Sequence, residues 1–322
     1  MPNNLEPHET WAIRDASKLQ TYMVCPRKYF FEYVFGWRSA YPNVHLEFGT
    51  AWHLAMEVLL DQGYGKEAQK NAAKAFESHY REHFDYTWDD SNAPKNLFNA
   101  VRAIPLYCRK WSEDNYDVLH IEVAGSVAVS DSRVVHFKTD TICRGEEGVF
   151  SLEHKTGSSF GDSWAAQWKQ KMQVGVYSHV LYSLFDENEV WGVKINGFFP
   201  KNAPKTKKDG TPYANTKDIE FHRVPVRRNL SHMNGWLWEV NDWCDKIDRD
   251  HERLAEASEG DDVLAAFPKN TESCTKYGLC AFHDVCTSWN NPLQHSHEMP
   301  VGFKTSYWDP RGLAYVREIM EL

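Results

Sequence analysis

The feature that most constrains this chain is a series of polar residues at strand-like and helix-like spacings: Asp140, then Glu153-x-Lys155, then Gln173-x-x-x-Tyr177. Residues 136–143 and 148–155 are short runs rich in β-formers, and the polar turn between them predicts a hairpin. Side chains alternate along a strand, so Glu153 and Lys155 share one face while His154 takes the other. Asp140, on the paired strand, then approaches Glu153 across the sheet.

Two carboxylates that converge beside a lysine are the groups that metal-assisted phosphodiester cleavage requires. Carboxylate oxygens and water suit Mg²⁺ or Mn²⁺ rather than zinc, and such an ion activates water and neutralises charge on the phosphate. Lys155, one pleat along the strand, is placed to steady the charge of the transition state. The alternative for Glu153 and Lys155, taken alone, is an exposed ion pair on one strand face.

A helix is predicted from Ser163 onward, because apolar residues recur there every fourth position. The stripe Trp168, Met172, Val176 and Val180 is predicted to be core. Gln173 and Tyr177 lie four residues apart on an adjacent face, with Lys169 one turn earlier, so these three side chains are predicted to project to the same side. An ordinary helix surface is the alternative for them.

This order of residues resembles the PD-(D/E)XK nuclease superfamily, specifically its RecB-like branch. Residues 17–30 (SKLQTYMVCPRKYF) and 48–53 (FGTAWH) are similar to the opening helices of that branch, so the resemblance spans roughly Ser17 to Cys286. It implies an α/β fold with a restriction-endonuclease-like core, in which helices flank a mixed sheet. The relatives it points to are the CRISPR-associated Cas-four exonucleases and the nuclease domains of recombinational-repair helicases.

The resemblance also implies roles for single residues. The catalytic metal would be bound by His53, Asp140 and Glu153, joined by the backbone carbonyl of His154. Lys155 would be the catalytic lysine, and Gln173 and Tyr177 would position DNA and the carboxylates.

Two of these assignments have alternatives, and one further acid has no assigned role. A histidine such as His53, in an apolar helix, is otherwise usually a hydrogen-bonded core residue. Asp131 is a rival to Asp140, although it falls in a turn-like segment. Glu122 matches a frequent acid of the family, and the sequence assigns it no role.

The seven cysteines form two groups. No secretory signal is present, which argues against a disulfide framework, and Cys108, Cys143 and Cys244 lie in apolar patterns typical of buried thiols. Cys274, Cys280 and Cys286 occupy a polar loop, where thiolates suit an iron–sulfur cluster or zinc.

The resemblance implies that Cys25, in a Cys-Pro pair, completes a [4Fe-4S] site with those three cysteines. His283 lies between two of them and keeps Zn²⁺ as the alternative. A cluster there would staple the C-terminal segment to the N-terminal helix.

The organisation expected is one interlocked unit over residues 1–322. It comprises an N-terminal helical region (17–115), a catalytic α/β core (116–228), a C-terminal helix with the cysteine cluster (229–290) and a tail (291–322) ending in an amphipathic-helix pattern at 312–322. The predicted helices lie near Ser17–Phe35, Glu47–Gln62, Lys66–His83, Pro94–Glu113 and Leu230–Ala257. The predicted strands lie near Val118–Val129, Val134–Cys143, Val149–Lys155, Val190–Phe199 and Ile219–Val226.

The net charge of the chain limits the ways in which it can bind a nucleic acid. A net charge of −9 is unusual for a nucleic-acid binder, where a basic stripe is the normal footprint. Four basic segments are candidates to line a groove locally: Arg27-Lys28, Lys169 with Lys171, Lys201–Lys208 and Arg227-Arg228. A solvated hairpin loop is the alternative for Lys201–Lys208. No membrane-length apolar stretch or signal region appears, which predicts a cytoplasmic protein that does not bind membranes.

The sequence therefore predicts a metal-dependent DNA nuclease, an exonuclease on single-stranded DNA or DNA ends in recombination, repair or phage DNA metabolism. Additional endonuclease activity is compatible with the same motifs. A helicase P-loop is absent from the sequence, so the protein is expected to work either alone or with a separate partner such as a helicase, a recombinase or another recombination factor. The alternatives are a DNA-end-binding scaffold with little or no cleavage and a zinc-stapled nuclease acting on RNA.

Overall fold

The computed structural model describes residues 5–202, 207–211, 218–276, 278–312 and 316–322. Its helices are α1 (Ala16–Val24), α2 (Pro26–Tyr29), α3 (Val44–Gln62), α4 (Lys66–His83), α5 (Leu97–Lys110), α6 (Asp162–Gln167), α7 (Met172–Leu184), α8 (Leu230–Glu256) and α9 (His283–Ser288). Its strands are β1 (Trp37–Ser39), β2 (Tyr116–Ser130), β3 (Arg133–Gly145), β4 (Gly148–Thr156), β5 (Val190–Phe199), β6 (Glu220–Val226), β7 (Phe303–Thr305) and β8 (Glu318–Glu321).

A mixed six-stranded sheet, in the order β6–β5–β4–β3–β2–β8, forms the centre of the described fold. Strands β2, β3 and β4 are an antiparallel meander, whereas β4 and β5 are parallel. That parallel step needs a crossover, which α6 and α7 supply. Strands β1 and β7 form a separate pair.

Helices cover both faces of this sheet. Leu60 of α3 packs against Phe150 and Leu152 of β4, while Leu181 of α7 packs against Val149. Because side chains alternate along β4, the two helices lie on opposite faces. The predicted α/β fold with a mixed sheet flanked by helices is confirmed.

The N-terminal helix predicted over 17–35 is divided in the structure. Helix α1 ends at Val24, and Pro26, which has no N–H to donate, is the first residue of α2. A π-helical turn over Phe30–Val34 follows. Cys25 is thereby held at the junction of two helices.

The end of the chain adds a strand to the sheet, so the helix predicted over 312–322 is wrong for the residues described there. β8 runs parallel to β2, the Leu322 N–H donates to the Ser126 carbonyl, and the Ala128 N–H donates to the Leu322 carbonyl, both at 2.8 Å. Residues 313–315 lie outside the described part. Pairing with β8 satisfies the unpaired N–H and C=O groups at the edge of β2, and this tertiary contact cannot be predicted from the local helical pattern of the sequence.

Helix α7 approaches α8 closely at Gly175. A Cβ added there would lie 2.0 Å from the indole Nε1 of Trp236, a ring that is only 4% exposed. Gly175→Ala is therefore expected to lower the free energy of unfolding by about 1–3 kcal/mol, since the ring must move within a packed core. Urea denaturation measures this change.

Gly235 on α8 is the matched control. It is exposed, and no atom lies within 4 Å of a Cβ added there. Gly235→Ala is expected to raise the free energy of unfolding by about 0.5–1 kcal/mol, because alanine favours the helix. Equal losses from both substitutions would contradict the packing explanation.

His251 of α8 lies among the rings of Trp11, Tyr29 and Phe267, with centroids between 5.2 and 6.3 Å away. Burial, reinforced by the Arg14 charge, lowers the pKa of His251 from 6.5 to about 4. Between those values the unfolded chain binds a proton that the folded chain does not. Stability present above pH 6.5 is therefore lost as the pH falls towards 4.

His251→Gln is expected to remove part of this acid sensitivity, on the order of 1–3 kcal/mol across that pH window. Guanidinium unfolding at neutral and mildly acidic pH measures the difference between wild type and variant. His232→Gln, at an exposed position of α8, is the control and should keep the wild-type pH dependence. An unchanged pH dependence in His251→Gln would exclude this histidine as the cause.

Candidate active site

Strands β3 and β4 separate as they leave their hairpin, and carboxylates take the place of the backbone ladder. The paired register covers only Ile142–Gly145 against Gly148–Ser151. Beyond it the Asp140 N–H donates to Glu153 Oε1 at 3.2 Å, and the His154 N–H donates to Asp140 Oδ2 at 2.7 Å. Each strand thus holds the acid of the other, and the two carboxylates lie side by side.

Glu153 is fully buried and fixed by hydrogen bonds. Its Oε1 also accepts from the Thr139 and Ser151 hydroxyls at 2.8 and 3.2 Å, while its Oε2 lies 3.3 Å from Lys155 Nζ. Burial and the Asp140 charge raise the pKa of Glu153, and the two acids raise the pKa of Lys155 against the effect of burial. The Glu153 side chain is 0% exposed and that of Lys155 is 21% exposed, so the pair is partly buried and the exposed alternative does not apply.

Three candidate metal-ligating side chains meet in front of these strands. His53 Nδ1 of α3 lies 3.1 Å from Asp140 Oδ1, and the ligand atoms of His53, Glu122 and Asp140 all lie within 4.8 Å of one another. His53 is 27% exposed and Asp140 10%. One imidazole and two carboxylates are a donor set that suits a divalent ion such as Mg²⁺ or Mn²⁺.

Glu122 enters this group although the sequence assigned it no role. The register pairs Ile121 with Thr141 and Val123 with Thr139, which sets Glu122 opposite Asp140. Its φ of +52° is uncommon for a non-glycine residue and interrupts the strand alternation on which the sequence analysis depends. The signal available in the sequence is an acid within an apolar strand.

The pKa values of Glu122 and Asp140 are shifted because these two acids are buried close to each other. Burial and the Asp140 charge raise the pKa of Glu122 to about 7, although the Lys138 ammonium lies 2.7 Å from it. Burial also opposes ionisation of Asp140, but His53 beside it holds the pKa of that carboxyl well below its usual range. A cation placed among these groups would be attracted by all of the acids.

Gln173 and Tyr177 of α7 act on the backbone of β3. The Tyr177 hydroxyl donates to the Lys138 carbonyl at 2.8 Å, and Gln173 Nε2 donates to that hydroxyl at 2.5 Å. Lys138 lies two residues before Asp140, so the pair positions the strand that carries this acid. The stripe Trp168, Met172, Val176 and Val180 is buried, which confirms that prediction.

His154 points to the opposite face from Glu153, as the alternation predicts. It is 1% exposed, and Asn196 Nδ2 lies 3.1 Å from its Nδ1 and 2.7 Å from the Tyr107 hydroxyl. Burial lowers the pKa of His154 to about 3, so the ring is neutral. The backbone N–H of His154 contacts the site, because it donates to the Asp140 carboxylate.

One predicted placement is wrong. Lys169 does not share a helix with Gln173, because a short 3-10 turn and an extended Lys171 interrupt the predicted helix before α7 begins. Asp131, the rival to Asp140, lies exposed in the turn between β2 and β3, as its turn-like segment predicts. Lys171 interrupts the helix although neither it nor its neighbours are glycine or proline, so the sequence gives no sign of the break.

Two of the basic candidates for a groove are structural. Arg27 is 2% exposed and donates to the carbonyls of Phe267 and Leu264, at 2.9 and 3.0 Å. Arg228 is 9% exposed and donates to the Lys169 and Lys171 carbonyls. Within Lys201–Lys208, residues 203–206 lie outside the described part.

A sequence model of the PD-(D/E)XK nuclease superfamily matches residues 16–287, which is most of the chain. The chain belongs to this superfamily. Its members are generally phosphodiesterase nucleases that use divalent metals such as Mg²⁺, so membership indicates a nuclease and implies DNA as substrate. No curated protein matches the chain.

One solved structure, described as "Crystal structure of SSO0001", is similar to this PD-(D/E)XK chain at 14% identity and a TM-score of 0.26. The match covers 60% of this chain and 84% of that one. Within the described residues, no helix combines the length and the apolar character needed to cross a membrane.

The four cysteines proposed for a cluster lie around one junction in this PD-(D/E)XK chain. The Asn270 N–H donates to Cys25 Sγ at 3.4 Å, and the Cys280 N–H donates to the Cys274 carbonyl at 2.9 Å. Burial raises the pKa of both the Cys280 and Cys286 thiols, and the Cys25 and Cys274 thiols act on each of them in the same direction. Cys108, Cys143 and Cys244 are buried elsewhere in the core, as predicted.

Proposed function

We propose that this protein is a divalent-metal-dependent DNA exonuclease of the RecB-like branch, acting on single-stranded DNA or DNA ends. The observation that carries the proposal is the reciprocal bonding of Asp140 and Glu153 across separated strands, with Lys155 at 3.3 Å from Glu153. Two strands can pair through backbone hydrogen bonds alone, and burying a carboxylate costs free energy. Buried carboxylates in place of those backbone bonds therefore indicate a functional site.

Each residue has a role in this proposal. His53, Asp140, Glu153 and the backbone carbonyl of His154 would hold the ion, with Glu122 as an added ligand whose carboxylate lies within 4.8 Å of the ligand atoms of His53 and Asp140. The ion, when bound, supplies an activated water and neutralises phosphate charge. Thr139 and Ser151 orient Glu153 so that its second oxygen meets Lys155. Lys155 would steady the negative charge that develops on the scissile phosphate.

Gln173 and Tyr177 would be positioning residues. Their hydrogen bonds end on the Lys138 carbonyl, and through it they fix the backbone that carries Asp140. Misplacement of such a group by about 1 Å can cost on the order of 100-fold in rate. Pathway partners, namely a helicase, a recombinase or another recombination factor, belong to the same proposal.

We also propose a [4Fe-4S] cluster on Cys25, Cys274, Cys280 and Cys286. The four thiols come from the α1–α2 junction, from the loop after α8 and from α9, and they match the all-cysteine donor set of such clusters. His283, the residue that keeps zinc as the alternative, has its Nδ1 3.3 Å from Asp284. The cluster would tie the loop after α8 to the start of α2.

The test is degradation of end-labelled single-stranded and double-stranded DNA by protein purified without oxygen, with Mg²⁺, Mn²⁺ or a chelator. Metal-dependent shortening of linear DNA, with circular single strands left intact, is the expected result. Asp140→Asn should abolish it, and the label pattern gives the polarity. Binding without cleavage would favour the scaffold function, and a preference for RNA would favour the zinc-stapled alternative.

A further inference from the structure

A second cluster of potential metal ligands lies on α3 and α4, outside the candidate active site. His79 and His83 are four residues apart on α4 and therefore share one face of that helix. Glu47 of α3 faces them, with its Oε2 3.1 Å from His79 Nε2 and 3.3 Å from His83 Nε2. The ligand atoms of all three residues lie within 4.8 Å of one another.

The distances within this cluster fit a tetrahedral ion. Ligand atoms about 2.0–2.1 Å from a tetrahedral zinc ion are about 3.3–3.4 Å from each other. The two nitrogen–oxygen separations, 3.1 and 3.3 Å, lie close to that edge length, although a hydrogen bond can have the same length.

The hydrogen bonds of His83 prepare one nitrogen for a cation. Its Nδ1 donates to the His79 carbonyl at 3.2 Å, which fixes the proton on Nδ1. The Nε2 lone pair of a neutral ring then points towards Glu47 Oε2, an oxygen that can only accept. A second proton on the ring or a cation between the two atoms must resolve this contact. Orientation of a ligand histidine by a backbone carbonyl is the usual arrangement around protein-bound zinc.

We propose that Glu47, His79 and His83 bind a divalent ion of the zinc class. Two imidazole nitrogens and one carboxylate oxygen form a nitrogen-rich donor set that suits zinc, whereas Mg²⁺ prefers sites in which most ligands are oxygens. The ion would tie α3 to α4 and so stabilise the helix that also carries His53. This site does not depend on the proposed exonuclease activity.

The fourth coordination position opens to solvent. Glu47 and His83 line a cleft of about 580 Å³ whose walls also include Glu82, Tyr41 and Phe282. His83 is 31% exposed and Glu47 21%, so an ion can reach them without unfolding the helices. Water or a small ligand in the cleft would complete the tetrahedron.

Cobalt is the probe, because its visible absorption reports on the ligands. The full chain, purified without oxygen and freed of loosely bound metal by a chelator, is titrated with Co²⁺ and then with Zn²⁺. Wild type is expected to bind one more equivalent than His83→Gln or Glu47→Gln, with at least about tenfold weaker binding at this site in the variants. The difference spectrum should show ligand-field bands without the thiolate charge-transfer absorption that cysteine ligands would add.

Two controls separate this site from the others. His45→Gln, at an exposed position of the same helix α3, should retain the extra equivalent. Asp140→Asn should also retain it, because that substitution affects only the candidate active site. Equal cobalt content and affinity in wild type and His83→Gln would overturn the proposal and leave a protonated histidine–glutamate contact.

Thermal unfolding provides a second readout. Zn²⁺ should raise the unfolding midpoint of wild type and of His45→Gln, and the rise should be smaller in Glu47→Gln, which keeps the size of the side chain. The same rise in all three proteins would place the stabilising ion elsewhere and overturn the proposal.

Discussion

Replacing Lys155 with methionine is expected to reduce metal-dependent DNA cleavage by a factor of about 100–1000. Methionine keeps the aliphatic length but removes the ammonium group that lies 3.3 Å from Glu153 Oε2. The fall should appear in kcat and not in the affinity for DNA, since the proposed role is in the transition state. Single-turnover cleavage measures the rate, and fluorescence anisotropy with Ca²⁺ measures binding.

Lys194→Met is the matched control for this experiment. Lys194 lies on the neighbouring strand β5 and pairs with Glu147, which stands in the hairpin turn away from Asp140. Its loss should leave cleavage near the wild-type rate. Cleavage at that rate by Lys155→Met would instead show that the lysine only neutralises a buried acid.

Lys155→Met also removes the charge that neutralises Glu153, and this loss could lower the rate by destabilising the fold. The unfolding midpoint distinguishes the two explanations, because a lysine with only a structural role would lower the stability and the rate together. Lys155→Arg restores the charge and should recover part of the rate without restoring the geometry of the ammonium.

Local patterns were sufficient to predict the central elements of this fold. The Lys66–His83 and Val190–Phe199 segments were predicted with the bounds that the structure has, because each has a long, regular period. The hairpin between β3 and β4, which carries both acids, follows from two β-rich runs and a polar turn. The residues of the candidate site on these strands could therefore be named in advance.

Features set by tertiary contact were not predictable. β8 has a helix-like sequence pattern and becomes a strand only because β2 offers an open edge. Glu122 lies beside His53 and Asp140, and it has a positive φ. The alternation of side chains along a regular strand does not predict that backbone conformation. The cluster of Glu47, His79 and His83 depends on how α3 packs against α4, so only the four-residue spacing of its histidines was visible in the sequence.

Replacing Cys286 with alanine is expected to abolish the iron binding that we propose for the four cysteines and to lower the unfolding midpoint substantially. Cys25 and Cys286 are about 260 residues apart, and a cross-link that closes so long a loop contributes about 5–6 kcal/mol in the chain-entropy model. Arg27, which donates to carbonyls at 264 and 267, remains as a second tie between the same segments. The variant should therefore fold, with lower stability.

Cys108→Ala is the matched control, because Cys108 is 4% exposed in the helical core. It should keep the full content of iron and sulfide, which chemical analysis and the visible spectrum measure. Zinc in place of iron in the wild type would assign the staple to zinc while retaining its cysteines. Full iron content in Cys286→Ala would contradict the four-cysteine assignment, since a [4Fe-4S] cluster that loses one of its thiolates is exposed to solvent and oxidant at that corner.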